Sequence, residues 1–272
     1  MIETHYLQLL NAARYHGDDK SDRTGIGTRS LFGERLHCDL QNGFPLLTTK
    51  YVNFHAIRAE LLWFLSGSTN THDLDAKIWD NWADENGDLG PTYGEQWRSW
   101  PLYHCEWDAI EPCDQIRTVQ AMLRNYPDSR RHVVSAWNVS ELHNMRLAPC
   151  HVLFQFNSRV VQNQRYLDIQ VYQRSADLFL GAPFNLASYA LLCQMMAQAT
   201  GHKPGDLVWV GGDCHVYYNQ FDQVDKQLDR IPGRPPTLWL SPDINDIDQF
   251  LAKDIEVLDY CPQPAIRAPI AV

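Results

Sequence analysis

The chain has 272 residues, 44% hydrophobic and 21% charged, with a formal net charge of −10. That length suits one large domain or two small ones with a well-buried core. The acidic balance makes a long nucleic acid a poor partner, so no nucleic acid is expected to be required. Seven scattered cysteines without a C-x-x-C pair indicate neither a disulfide framework nor a zinc ribbon. No metal is expected, even at the loose group His104, Cys105 and Cys113. No apolar run reaches the length of a membrane span, and Glu3, Asp18 and Asp19 near the start are foreign to a signal or transit peptide. The expected location is a reducing cytoplasm, away from membranes.

Residues 3–16 place Tyr6, Leu9, Leu10 and Ala13 at helical spacing. A polar loop follows over 17–28, with Arg23 among Ser21, Thr24, Gly25 and Gly27. Arginine beside hydroxyls and glycines suits a phosphate as well as a solvated surface. Residues 30–40 alternate as a strand does, and Gly43-Phe44-Pro45 is a turn. Residues 54–65 form a helix with Ile57, Leu61, Phe64 and Leu65 on one stripe, and Glu60 falls on that stripe. A carboxylate on an apolar face is costly unless it is bonded. It is therefore either one half of an internal salt bridge or a carboxyl held with a raised pKa to manage protons.

Trp79 and Trp82 lie three apart, on one side of a helical turn, as core or as a wall for a flat heterocycle. Residues 84–97 read as a long loop and 101–113 as a surface excursion without a period. Asp114 caps a helix running through Tyr126; residues 127–131 end it, and 132–137 form a strand. Pro149-Cys150-His151 heads the apolar run 152–156. A thiol there is either a buried structural group or a nucleophile whose pKa something lowers. Residues 159–165 read as a turn, and Leu167, Ile169 and Val171 mark a half-buried strand leading to Gln173-Arg174-Ser175-Ala176-Asp177. Asn185 is locally a good N-cap for the helix marked by Leu186, Tyr189, Ala190, Cys193 and Ala197. Gly211–His215 read as a turn into a further helix carrying Phe221, Val224 and Leu228, and the chain is irregular from 229 on. No repeat, linker, G-x-G-x-x-G or P-loop pattern occurs, and the irregular alternation of strands and helices favours one α+β domain over 1–272. The chemistry alone describes a thiol-dependent enzyme acting on a small phosphorylated heterocycle.

Six stretches together resemble the thymidylate synthase family nearly end to end. They are Glu60–Leu65, Trp79–Gly94, Asp128–Arg131, Leu147–His151, Gln173–Asn185 and Gly212–Tyr217, in that order. The resemblance implies a homodimeric α+β enzyme with a mixed, twisted sheet flanked by helices and dimerising through the sheet face. The implied reaction methylates dUMP to dTMP with 5,10-methylenetetrahydrofolate as carbon and hydride donor, giving dihydrofolate. By the same resemblance Cys150 attacks uracil C6, with Glu60, Tyr93, His151, Arg174, Asp177 and Asn185 as the other catalytic positions. Arg23, Arg174 and Ser175 would hold the phosphate, Arg130 and Arg131 would reach in from the partner subunit, and His215 and Tyr217 would take the 3′-hydroxyl. Asp177 and Asn185 also belong to the implied substrate site, with Asn185 reading uracil against cytosine. Lys50, Ile78, Trp79, Trp82, Asp177, Leu180, Gly181, Phe184 and Ala271 would line the folate site, with the terminal Val272 closing over it.

The departures from the family pattern lie in loops. Tyr51-Val52-Asn53 follow Lys50 where basic and histidine residues are frequent in the family. Residues 71–77 are short, and 102–113 and 157–166 long, beside some bacterial members. A deoxyuridylate hydroxymethylase, in which water captures the shared methylene intermediate, is the nearest alternative. A Cys-His hydrolase leaves the four arginines and Asn185 without a purpose. The intact Cys150 and the acidic charge disfavour a catalytically silent nucleotide- or RNA-binding relative.

Overall fold

A computed structural model describes residues 2–103 and 110–270. The N-terminal helix α1 (Ile2–His16) buries Tyr6, Leu9, Leu10 and Ala13, the residues whose spacing predicts it. Its end leads into a short strand β1 (Asp18–Lys20), then the Arg23 loop, then β2 (Thr28–Asp39). Helix α2 (Phe54–Ser66) is closed at both ends. The Asn53 side chain accepts from Ala56 N, and Gly67, at φ 82°, donates to Phe64 O.

Two segments that read as irregular contain regular structure. The last residues of the expected loop, 93–97, belong to helix α3 (Tyr93–Arg98). Part of the excursion at 101–113 is an antiparallel pair, β3 (Trp100–Tyr103) with β4 (Ile110–Cys113). Both are too short to show a period. His104 and Cys105 lie outside the described residues. Asp114 then caps α4 (Gln115–Asn125) by accepting from Arg117 N.

The frame is a six-stranded mixed sheet in the order β1-β2-β8-β7-β6-β5. Its remaining members are β5 (Val133–Ser135), β6 (His151–Val161), β7 (Gln164–Asp177) and β8 (Lys203–Tyr217). β7 and β8 run parallel, and the other pairs are antiparallel. The expected turn at 159–165 shrinks to Gln162 and Asn163, both at positive φ, and β6 and β7 extend into it. The expected turn at 211–215 is strand, because β8 continues to Tyr217 between β2 and β7. The glycines there mark close approach rather than a turn.

Helix α5 (Gly181–Ala199) crosses over from β7 to β8 and is buried along nearly its whole length. It packs on both of those strands and on α2, which is why its sequence is apolar on every side. Helix α1 covers β2 and β8 on the sheet and packs against α6 (Phe221–Leu228). The tail holds a small pair, β9 (Thr237–Leu240) with β10 (Ile255–Leu258). The opposite face of the main sheet carries Leu153, Tyr172, Val208 and Val210, which stay partly exposed.

Candidate active site

The site forms where β6, β7 and β8 end beside α2, α3 and the start of α5. Cys150 immediately precedes β6, and its carbonyl accepts from Arg174 N at 2.8 Å. The register shifts between His151 and Leu153, an irregularity that re-aims side chains at a strand head. One strand over, Ser175 pairs with Asp213 and Asp177 with His215. Three neighbouring strands thus bring Cys150, Arg174, Ser175, Asp177 and His215 together, although they are spread over 66 positions of sequence from 150 to 215.

Cys150 is partly buried. Burial pushes its thiol above the ordinary range, while the charges of Arg174 and Arg23 pull it back down. Burial is the larger effect, so the net shift is upward despite the two cations. Arg174 is fixed by its own bonds, Nε to Pro149 O at 2.9 Å and a terminal nitrogen to Ala148 O at 2.8 Å. Arg23 is exposed, on a loop built around Asp22. That carboxylate accepts from Thr24 N and Gly27 N at 3.0 and 2.8 Å. Gly27 has φ +83°, and a Cβ there would lie 2.6 Å from the Tyr218 ring, so the loop closes only on glycine.

The Tyr93 hydroxyl accepts from Cys150 N at 2.8 Å, which ties α3 to the strand head. Glu60 is buried, and its Oε1 accepts from Trp79 Nε1 at 2.8 Å. Burial raises its pKa to about 7 even though the indole bond lowers it. The sequence left a salt bridge and a raised carboxyl as alternatives; no cation pairs with Glu60 among the described residues, and the carboxyl is raised. Burial lowers His151 to about 4, against a bond to Asn185 that raises it. The ring is therefore neutral, and its Nδ1 has no partner.

Asn185 sits inside the first turns of α5 rather than at its cap, because the helix begins at Gly181. Its Oδ1 accepts from Gln173 Nε2 at 2.9 Å. Asp177 accepts from Phe179 N and Leu180 N at 2.8 and 2.9 Å. His215 Nδ1 lies 3.0 Å from Asp213 Oδ1, and its ring meets that of Tyr217 edge-on at 5.1 Å. Burial raises the Tyr217 phenol to about 12, helped by the nearby Asp177 and Asp22 and offset by Arg23.

Trp79 and Trp82 pack edge to face at 5.8 Å, on turns rather than a helix. With Ile78, Leu180 and Phe184 they rest on the core while keeping part of their surface open. Trp82 Nε1 is buried without a partner. Lys50 turns inward instead. It is buried, its ammonium bonds to Phe179 O and sits 3.5 Å from the Phe179 ring centroid, and burial lowers it to about 7. Ala271 and Val272 lie outside the described residues.

Arg130 and Arg131 are not brought to Cys150. Both are exposed beside the middle of β6, where Gln155 Nε2 donates to Arg130 O and Phe156 N to His132 O. Six residues of strand separate that point from Cys150, about 20 Å at the usual rise. Gln173 and Trp209 were not singled out as site residues in the sequence. The available signal is that Gln173 falls in phase with the buried Leu167, Ile169 and Val171, a polar group on the inward face.

The arrangement defines an α+β enzyme with a strand-end thiol flanked by arginines, tyrosines and a protonatable carboxyl. The family model described as thymidylate synthase matches residues 4–272, nearly the whole chain, and the chain belongs to that family. It is therefore an enzyme of the thymidylate synthase type, for which the family implies dUMP and folate as substrates.

Proposed function

We propose that this chain converts dUMP to dTMP with 5,10-methylenetetrahydrofolate. The observation that carries the reading is the convergence on Cys150 of Arg174 and Arg23, together with the Tyr93 hydroxyl on its backbone. The thiol passes its proton to solvent as substrate arrives, and its sulfur forms a bond to uracil C6. The C5–C6 π electrons move toward O4, leaving C5 nucleophilic. Glu60, poised near neutrality, gives or takes a proton at the O4 side. Tyr93 stands beside the C5 proton. His151 is neutral and makes no hydrogen bond to the thiol, so it does not act as the base of a hydrolase.

The phosphate fits Arg23, Arg174 and Ser175, and the 3′-hydroxyl fits His215 and Tyr217. Asn185 reads the base: Oδ1 accepts from N3–H and Nδ2 donates to O4. The folate supplies the one-carbon unit and the hydride when bound. The open faces of Trp79, Trp82, Leu180 and Phe184, next to Ile78, Asp177 and Gly181, suit a flat pterin. Buried Lys50 reaches that ligand only if it leaves Phe179. The last residues, Ala271 and Val272, are the proposed closing segment.

The placement of Arg130 and Arg131 supports a homodimer. They lie too far along β6 to serve their own Cys150, and the uncovered face with Leu153, Tyr172, Val208 and Val210 suits a second copy. The deciding experiment supplies dUMP and methylenetetrahydrofolate and identifies the product by mass while dihydrofolate absorbance is followed. Equal formation of dTMP and dihydrofolate is expected. 5-Hydroxymethyl-dUMP without dihydrofolate would replace the synthase with a hydroxymethylase, and unconsumed dUMP would overturn both.

A further inference from the structure

An asparagine amide serves either pyrimidine by a half-turn about its last torsion, because its two ends exchange roles. Discrimination therefore belongs to whatever holds the amide. We propose that Gln173, itself fixed by Trp209, is the positioning residue that locks Asn185 in the orientation for uracil. The inference rests on the reading that Asn185 contacts the base.

The chain of bonds has only one consistent direction. An indole N–H donates and never accepts. Trp209, fully buried, donates from Nε1 to Gln173 Oε1 at 2.8 Å. Gln173 Nε2 then points at the Ser175 carbonyl, 3.1 Å away, and at Asn185 Oδ1, 2.9 Å away. Turning the Gln173 amide would set N–H against N–H at the indole and carbonyl against carbonyl at Ser175. Asn185 thus faces a donor and must present oxygen to it. The held amide presents Oδ1 and its Nδ2 hydrogens to a ligand. That edge complements N3–H and O4 of uracil. Cytosine offers an acceptor at N3 and a donor at N4, and would need Nδ2 turned onto the Gln173 donor.

The backbone leaves room for this arrangement at one point. Gly211 pairs with Gln173 across β7 and β8. A Cβ on Gly211 would lie 2.3 Å from the Trp209 ring. The glycine therefore lets the indole lie under the strand, where it reaches Gln173.

The test is equilibrium binding of dUMP and of dCMP to the full chain by titration calorimetry. Wild type should prefer dUMP. Gln173→Met keeps the size and removes both polar ends, so the dUMP-to-dCMP affinity ratio should fall by about tenfold or more as the flipped amide ceases to be penalised. Gln173→Glu offers only acceptors when ionised and should move the ratio further toward dCMP. Trp209→Phe frees Gln173 to turn and should shift the ratio in the same direction. A Gln173→Met protein that is folded by circular dichroism and weakens both nucleotides equally, with an unchanged ratio, overturns the lock. If the wild type shows no preference, the reading of Asn185 fails, and the lock fails with it.

Discussion

The Trp79 indole donates to Glu60 Oε1 at 2.8 Å, and that bond joins an aromatic cluster to the one carboxyl on the buried stripe of α2. Trp79 also packs against Trp63, Phe64 and Tyr93 at centroid distances of 6.5, 6.4 and 5.9 Å. A group that orders the aromatic wall thereby also tunes the acid. Burial raises Glu60 and the indole restrains the rise. Trp79→Phe keeps the ring but removes the donor, so Glu60 should titrate at higher pH. The corresponding limb of the pH–rate profile should move upward with it; a profile that does not move would separate Glu60 from catalysis.

Glu60 also makes stability depend on pH. Its folded pKa, about 7, lies above the unfolded value of 4.5. The unfolded chain releases this proton first as pH rises. Stability tied to Glu60 is therefore intact below pH 4.5 and is lost as pH climbs through 7. Glu60→Gln removes that loss. The variant should gain stability relative to wild type between pH 5 and 8, by on the order of 3 kcal/mol at most. Denaturant titrations at both pH values measure the difference.

His151 works in the opposite sense. Its folded pKa, about 4, lies below the ordinary 6.5, with burial as the main cause. Stability tied to the neutral ring is present above pH 6.5 and is lost as pH falls through 4. Melting temperatures of His151→Gln and wild type should converge on acidification if the ring is held neutral, and keep a constant gap if it is not.

Gly90 fixes the loop that carries the site into α3. Its φ is +74°, and a Cβ would lie 2.2 Å from Asn144 O, a backbone atom. Gly90→Ala should cost about 1–3 kcal/mol of stability. A thermal melt within a degree of wild type would show that the loop can shift to accept the methyl group.

The proposed sharing of arginines between subunits predicts complementation. A Cys150→Ala chain and a chain carrying Arg130→Ala with Arg131→Ala should each be nearly inactive alone. Mixed dimers should recover activity, since one of their two sites has every part. No recovery, with mixed dimers shown to form, would place these arginines in service of their own subunit.

Much of the frame was legible because its signals are local. The spacing of Tyr6, Leu9, Leu10 and Ala13 in α1, the Asp114 cap of α4 and the alternation of β7 each act within a few residues. Glu60 was legible for the same reason, as a carboxyl on the apolar stripe of its helix. The orientation of Asn185 was not, because the donor that fixes it lies 12 positions away and is fixed in turn from 36 positions away. Locally Asn185 reads as a cap, but α5 begins earlier, at Gly181, with Pro183 inside its first turn, where proline is tolerated. The strand through Gly211–His215 was hidden by its glycines, which suggest a turn until the neighbouring Trp209 ring is seen to need the space.

The central claim is that Cys150, among the chain's seven cysteines, is the nucleophile. Incubation with 5-fluoro-dUMP and methylenetetrahydrofolate tests it directly, because fluorine at C5 cannot leave as a proton does and the covalent adduct persists. Peptide mass mapping should place that adduct on Cys150, and Cys150→Ala should form none while still binding dUMP. An adduct mapped to Cys193 or Cys214, or near-normal turnover by Cys150→Ala, would contradict the account.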